Sequence, residues 1–384
     1  MRLAILNARM LDMERGTENQ ADLWIERGRL ARISPAGTQP ASEAHRVINA
    51  DGMYAFPGFV DFHTHLFRHG SSFGLDADRL LECGVVCAAD MGSAGWVNYP
   101  AMHRCDMAGK RLELKAYLNL FPVGQPGRGI HEPLTDAVID LERMKEKMAA
   151  FPGEIVGVKV RISRGIVGEL GLRPLERAVE VGEELGLPVC VHTTDPPATA
   201  DQVISRLRTG DIYSHTYQGK GHTILNEAGS LYPEISEGQR RGVRMEVGNG
   251  RVNFNFPVAL RALEQGLYPD IISSDATPAT FHKELAMWDL PFVASKFLSM
   301  GMPLRDVIRS ITETPAKVLG VEDRFGTLAR GREANVVLCR MEDTPTVFRD
   351  SDGNTFEGRK RIVPCITVRR GEVVFEAAAW EDSL

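Results

Sequence analysis

No apolar stretch in this 384-residue chain approaches the roughly 18–20 residues that a membrane-crossing helix needs. The opening segment, MRLAILNARMLDMERG, meets acidic residues before any small-residue cleavage site, so it does not read as a signal peptide. Clusters of Lys and Arg are scarce: Arg240-Arg241 and Arg359-Lys360-Arg361 are short and read as solvated faces. Net charge is −6 and the pI near 6.0, which argues against nucleic acid or an anionic membrane as the main partner. The six cysteines (Cys83, Cys87, Cys105, Cys190, Cys339, Cys365) form no CxxC pair. A thiolate zinc site is therefore not expected, and they read as small buried residues in a reducing compartment, with the cytoplasm as the default location. There is no low-complexity segment.

What is present divides by texture. The length exceeds one ordinary core, so a large domain with a small companion fits. Residues 1–56 mix apolar and polar residues at near-alternating spacing in RLAILNARML, ADLWIERGRLARIS and HRVINADGMYAF, the pattern of short strands. The last sixty residues look alike, and ITVRRGEVVF repeats the pattern of DLWIERGRLARI. Both chain ends are expected to build one small β-sandwich domain, 1–56 plus 326–384. Between them, over 57–325, eight short apolar runs alternate with helical segments such as LTDAVIDLERMKEKMAAF (134–151) and LRPLERAVEVGEELG (172–186). The runs are 58–65, 85–91, 114–120, 155–162, 187–194, 210–217, 243–249 and 269–277. Buried runs alternating with helices indicate βαβ units and a parallel sheet, and eight of them in this length predict a (β/α)8 TIM barrel rather than an open doubly wound sheet.

Five runs place the residues of interest near their C-terminal end: His63 and His65, Lys159, His192, His215 and Asp275. In such a barrel these ends share one rim, where active sites lie. His63 and His65 are two apart and project to the same face of a strand, so both imidazoles can reach one metal ion. Lys159 sits where a buried strand should be apolar. It is either a snorkelling or acid-paired lysine, or an amine that has added CO2 to become a carbamate, an anion with two oxygens able to bridge two metals. Asp275 is either a helix N-cap or a carboxylate that binds metal and takes a proton from water.

These segments resemble the amidohydrolase superfamily. PGFVDFHTH looks like its N-terminal metal motif, GVKVRIS like the carboxylated-lysine strand, VHTT and SHTYQGKG like the strands of the third and fourth histidines, and SSDAT like the strand of the catalytic aspartate. GTLARGREANVVLCR resembles the return to the small β domain, so the likeness covers nearly the whole chain. It implies two divalent metal ions, usually Zn2+, with His63, His65, Lys159 and Asp275 on one and His192, His215 and Lys159 on the other. It further implies N6-carboxylysine at Lys159, a metal-bridging hydroxide as nucleophile, and Asp275 as the proton carrier. KVRIS and HTYQGKG are similar to a dihydroorotase-like group of predicted dihydroorotases and adenine deaminases with deacetylase members. One departure is the loop VGNGRVNF (247–254), where Asn249 stands and a histidine is expected.

Arg161 shares the face of Lys159 nearer the mouth, where it either clamps a substrate carboxylate or pairs with a barrel acid. Tyr217, Gln218, Lys220 and His222 in the loop after the sixth run are candidate substrate contacts, and His282 lies in a candidate specificity loop. The expected reaction is deacetylation of a small N-acetyl or O-acetyl carboxylic acid. Opening of a cyclic amide by the same site is the alternative. Base deamination ranks lower, because such deaminases generally lack the lysine, and a non-catalytic scaffold is disfavoured by the full ligand set. A homo-oligomer is expected from size alone.

Overall fold

The computed structural model describes residues 2–38, 42, 44–130, 132–283 and 285–377, so the last seven residues of the expected C-terminal segment lie outside it. The first 57 residues form five strands: β1 (Arg2–Leu11), β2 (Glu18–Glu26), β3 (Arg29–Pro35), β4 (Arg46–Asn49) and β5 (Tyr54–Pro57). The third alternating segment divides into β4 and β5. The turn expected at Glu26-Arg27-Gly28 separates β2 from β3, with Arg27 and Gly28 both left-handed (φ 50° and 76°). A two-residue turn with both φ positive matches the twist of a hairpin, which is why the chain reverses there.

The middle of the chain forms a parallel sheet of seven strands: β6 (Phe59–Thr64), β7 (Val85–Gly95), β8 (Glu113–Asn119), β9 (Ile155–Arg161), β10 (Val189–His192), β11 (Ile212–Ser214) and β12 (Arg244–Glu246). They are hydrogen-bonded in sequence order. The eighth expected strand is not a strand. Residues 269–277 make only isolated parallel bridges, Ile271 to Glu246 and Ala276 to Thr64. Two features account for the irregularity. Asp275 adopts φ 53°, outside any strand conformation, and the Ser274 hydroxyl and amide are both spent on the buried Asp61 carboxylate rather than on a ladder. Because those bridges join β12 to β6, the seven-stranded sheet curls into a barrel-like ring. The helical stretch at 134–151 shortens to Leu141–Ala150, capped by Asp140 on the Arg143 amide, while the other runs over Arg173–Leu185 as expected and ends at left-handed Gly186.

Three further strands return the chain: β13 (Val336–Arg349), β14 (Thr355–Arg369) and β15 (Glu372–Glu376). They join the N-terminal strands in one connected sheet ordered β15-β14-β13-β5-β1-β2-β3, with β4 beside β1. The resemblance between the two ends extends to geometry. The β14–β15 turn is Arg370-Gly371 with φ 50° and 76°, the same pair as Arg27-Gly28, and each hairpin carries a bulge three or so residues before its turn. Leu3, Ile5, Leu23, Ile25, Val336, Leu338, Ile366 and Val368 form a core of their own between these strands. Each such fully buried side chain contributes about 1.5–3 kcal/mol. A second core packs Cys190 and Ile212, just below the histidines at their strand ends, with Tyr117, Ile271, Leu319 and Phe325.

Candidate metal centre

The strand ends converge as their positions in sequence require. His63 Nε2 lies 3.6 Å and His65 Nε2 3.2 Å from Asp275 Oδ1. The His63 ring centroid is 5.7 Å from that of His65 and 5.1 Å from that of His215, and His192 and His215 are 4.4 Å apart edge to face. Candidate ligand atoms of His63, His65 and Asp275 lie within 4.8 Å of one another. Lys159, 1% exposed, lines the same cavity of about 650 Å3 with these four histidines and Asp275.

Three of the rings are fixed at Nδ1. His63 meets Glu246 Oε2 at 3.4 Å, His65 shares a hydrogen bond with Ser93 Oγ at 2.9 Å, and His215 lies 2.8 Å from the Gly248 carbonyl. An imidazole committed at Nδ1 presents the Nε2 lone pair, the form in which histidine binds metal. Burial pushes His63 and His192 well below the usual histidine range and His215 below it as well, so all three rest neutral. Burial alone would raise the Asp275 carboxyl, but His63, His65 and His215 hold it below the usual range, so it rests as an anion.

Lys159 has no acid partner among the described residues. Its single hydrogen-bond partner is Cys190 Sγ at 3.5 Å. A buried ammonium facing three histidines is a poor fit to this pocket, whereas an anionic lysine derivative would complete a donor set of nitrogen and oxygen atoms suited to zinc. The backbone also departs from ordinary geometry here: His215 and Asp275 both hold left-handed φ (65° and 53°), a strain of about 1–3 kcal/mol each that concentrates at functional sites.

Several supports were not singled out in the sequence. Glu246, fully buried at the end of β12, accepts from the Ser214 and Ser273 hydroxyls as well as facing His63. Its oxygens are thereby committed behind the ring, although His63, His215 and Glu246 also stand close enough to form a ligand group. Asp90 in β7 accepts the amides of Leu66 and Ser93, both at 2.7 Å, and so fixes the turn after His65. Asn253 donates to Asp275 Oδ2 at 2.8 Å. Asp90 and Glu246 stand inside apolar runs of the sequence, but nothing in the local pattern distinguishes an orienting acid from a solvated one.

The expected substrate contacts separate. Arg161 is ion-paired with Glu132, itself 3% exposed, through two of its nitrogens, so the acid-paired alternative holds in this structure. Lys220 lines the cavity. Tyr217 does not, because its hydroxyl donates to the Leu267 carbonyl at 3.1 Å and its ring packs on Phe254 and Phe297. Gln218 braces its own loop, donating to the His222 carbonyl and accepting from the Lys220 amide. His282 stacks between Phe281 and Trp288, away from the cavity lining. Asn249 is buried as well. Its amide donates to Ala286 and accepts from the buried Lys296, so the position where a histidine was expected serves the loop behind the site.

A model of the amidohydrolase family matches residues 132–371. A deacetylase from Agrobacterium fabrum is 31% identical over 352 residues, covering 90% of this chain and 84% of its own. A deacetylase from Brucella anthropi is 32% identical over 354 residues, covering 90% and 86%. Among solved structures, one of a dihydroorotase superposes with a TM-score of 0.87 at 29% identity, covering 98% of each chain. The chain belongs to the amidohydrolase family and is a hydrolase of that class. No helix among the described residues is long and apolar enough to cross a membrane.

Proposed function

We propose that this chain is a binuclear metal hydrolase that removes the acetyl group from a small N-acetyl or O-acetyl carboxylic acid. The observation that carries the reading is the pairing of Nδ1-anchored histidines with Asp275 beside a buried lysine that lacks an acid partner among the described residues. In this reading His63, His65, Asp275 and Lys159 would hold one ion, and His192, His215 and Lys159 the other. Two divalent ions, zinc above all, would supply an activated water and polarise the acyl carbonyl. Addition of CO2 to the Lys159 amine with loss of a proton to solvent for each hydrogen displaced would leave a carbamate monoanion there. Asp275 accepts the proton of the attacking water and delivers it to the leaving nitrogen or oxygen, so the acid and the free amine or alcohol leave in balance. Residues 57–325 would form the catalytic barrel, with 1–56 and 326–384 as the small domain.

Opening of a cyclic amide is the second reading, favoured by the 29% identity to the dihydroorotase of known structure. Counting metal in the purified protein and screening acetylated amino and 2-hydroxy acids against cyclic amides tests both. A protein without zinc, manganese or iron, and inactive on every compound after metal and bicarbonate are restored, refutes the hydrolase. Turnover confined to the cyclic amides replaces the first reading with the second.

A further inference from the structure

The chain as a whole is acidic, at −6, yet the cavity above the candidate metal centre is not. Besides Lys159 at its floor, it is lined by Arg128, Arg161, Lys220 and Arg251, against one carboxylate, Asp275, among the described residues. Asp275 faces the histidines, and Arg161 is neutralised by Glu132. The side chains of Arg128, Lys220 and Arg251 have no ion-pair or hydrogen-bond partner among the described residues. They rise from three separate loops, after β8, β11 and β12. Three unpaired cations around one small cavity raise the local concentration of anions and leave donors free to hold one.

Arg251 has the firmest base. The Asn249 and Gly250 amides donate to the Ser273 and Ser274 carbonyls, and Phe254 exchanges two hydrogen bonds with Ser351 at the tip of the β13–β14 hairpin. That tip also lines the cavity. A fixed backbone under an arginine lowers the ordering cost of a bidentate contact.

Resting on the hydrolase reading for the bond that is cleaved, we infer that the substrate's carboxylate is held by Arg251 and Arg128, with Lys220 beside them, and not by Arg161. The cleaved bond then lies between this cationic rim and the metal centre, so the substrate class is a compact acyl compound with a free carboxylate a few bonds from its acyl carbonyl. Uncharged amides and esters of the same shape fall outside it.

Calorimetric titration of the as-purified protein with N-methanesulfonyl amino acids, whose sulfonyl group resists hydrolysis, and with the matching carboxamides tests this without turnover. The acid is expected to bind about tenfold or more tightly than the carboxamide, the size of a charge-assisted contact. Arg251→Gln and Arg128→Gln should each cut that preference several-fold, and the double variant should abolish it. Both arginines are exposed, so folding should be unchanged, as a thermal melt would verify. Equal binding of acid and carboxamide, no binding of either, or a preference that survives the double variant overturns the inference. So does a preference lost only when Arg161→Gln is combined with Glu132→Gln. Failure of the hydrolase reading looks different: the acid preference in binding persists while no acetylated acid is cleaved.

Discussion

Gly250 lies so close to Asp275, the carboxylate proposed above as the proton carrier, that one methyl group should disable the site. It holds φ +49°, and a Cβ built on it would sit 2.2 Å from Asp275 Oδ2 and 2.8 Å from Asn253 Nδ2. Contacts below 3.0 Å are not tolerated, so Gly250→Ala requires Asp275 Oδ2 to retreat by at least 3.0 − 2.2 = 0.8 Å or the loop to lift. Asp275 cannot follow freely, since its amide donates to the His63 carbonyl at 2.7 Å and Asn253 holds Oδ2 at 2.8 Å. A misplacement near 1 Å of a reacting group costs about 100-fold in rate. The left-handed backbone adds about 1–2 kcal/mol for alanine, which in a chain of this size moves Tm by only a few degrees. Gly266→Ala isolates that backbone cost, because Gly266 also holds a left-handed φ (+83°) but has nothing within 4 Å of its built Cβ. The expected result, from kcat on the best substrate of the screen and from melting curves, is a Tm loss of a few degrees in Gly266→Ala and a larger one in Gly250→Ala, where the clash adds to the backbone cost. Only Gly250→Ala should lose activity by about two orders of magnitude. Full activity in Gly250→Ala, or equal losses in both, would refute the placement of Asp275 at the reacting atoms.

Lys159→Ala should leave the protein with fewer than two metal ions and little activity, with partial rescue by acetate; two retained ions and full activity would remove the lysine from the bridge. Glu246→Gln should weaken metal binding by about 10–100-fold in competition with a chelator, the usual loss when a partner orienting a histidine is removed, and unchanged affinity would make Glu246 a bystander. The depressed histidines give a signed pH dependence. A proton competes with metal for each ring, and burial lowers the pH at which His63, His192 and His215 take one. Metal content during acid titration should therefore hold through about pH 6.5, the ordinary histidine pKa, and fall only below it; a midpoint at or above that value contradicts the assignment. Asp350, 5% exposed, accepts from the amides of Phe256, Asp352 and Asn354 and from the Asn354 side chain, tying the hairpin tip to the loop of Arg251. Asp350→Ala should cost about 1–3 kcal/mol in chemical denaturation, given the buried Phe256 amide left without its acceptor, and should raise KM more than it lowers kcat.

The parts of this site that could be read from sequence are those whose signal is local or periodic. His63 and His65 announce themselves by their spacing, Lys159 by being charged within an apolar run, and His192, His215 and Asp275 by standing at the ends of such runs. The two end hairpins were legible for the same reason, as their Arg-Gly turns share dihedral angles as well as letters. What escaped is set by contacts between segments far apart in the chain. Whether Arg161 meets a substrate or an acid depends on Glu132, 29 residues away on another loop. Tyr217 and Gln218 sit in a polar, glycine-rich segment that reads as a mouth loop, yet Tyr217 is drawn inward by an aromatic cluster and a carbonyl 50 residues on. The eighth run has a strand's composition, but its serines serve Asp61 and Glu246 on the two flanking strands and its aspartate takes a left-handed turn. A regular strand would leave Asp275 on one fixed face of the ladder, whereas its left-handed backbone bends it out of the ladder where the carboxylate meets His63 and His65, and the two bridges that remain are enough to join the sheet's edges.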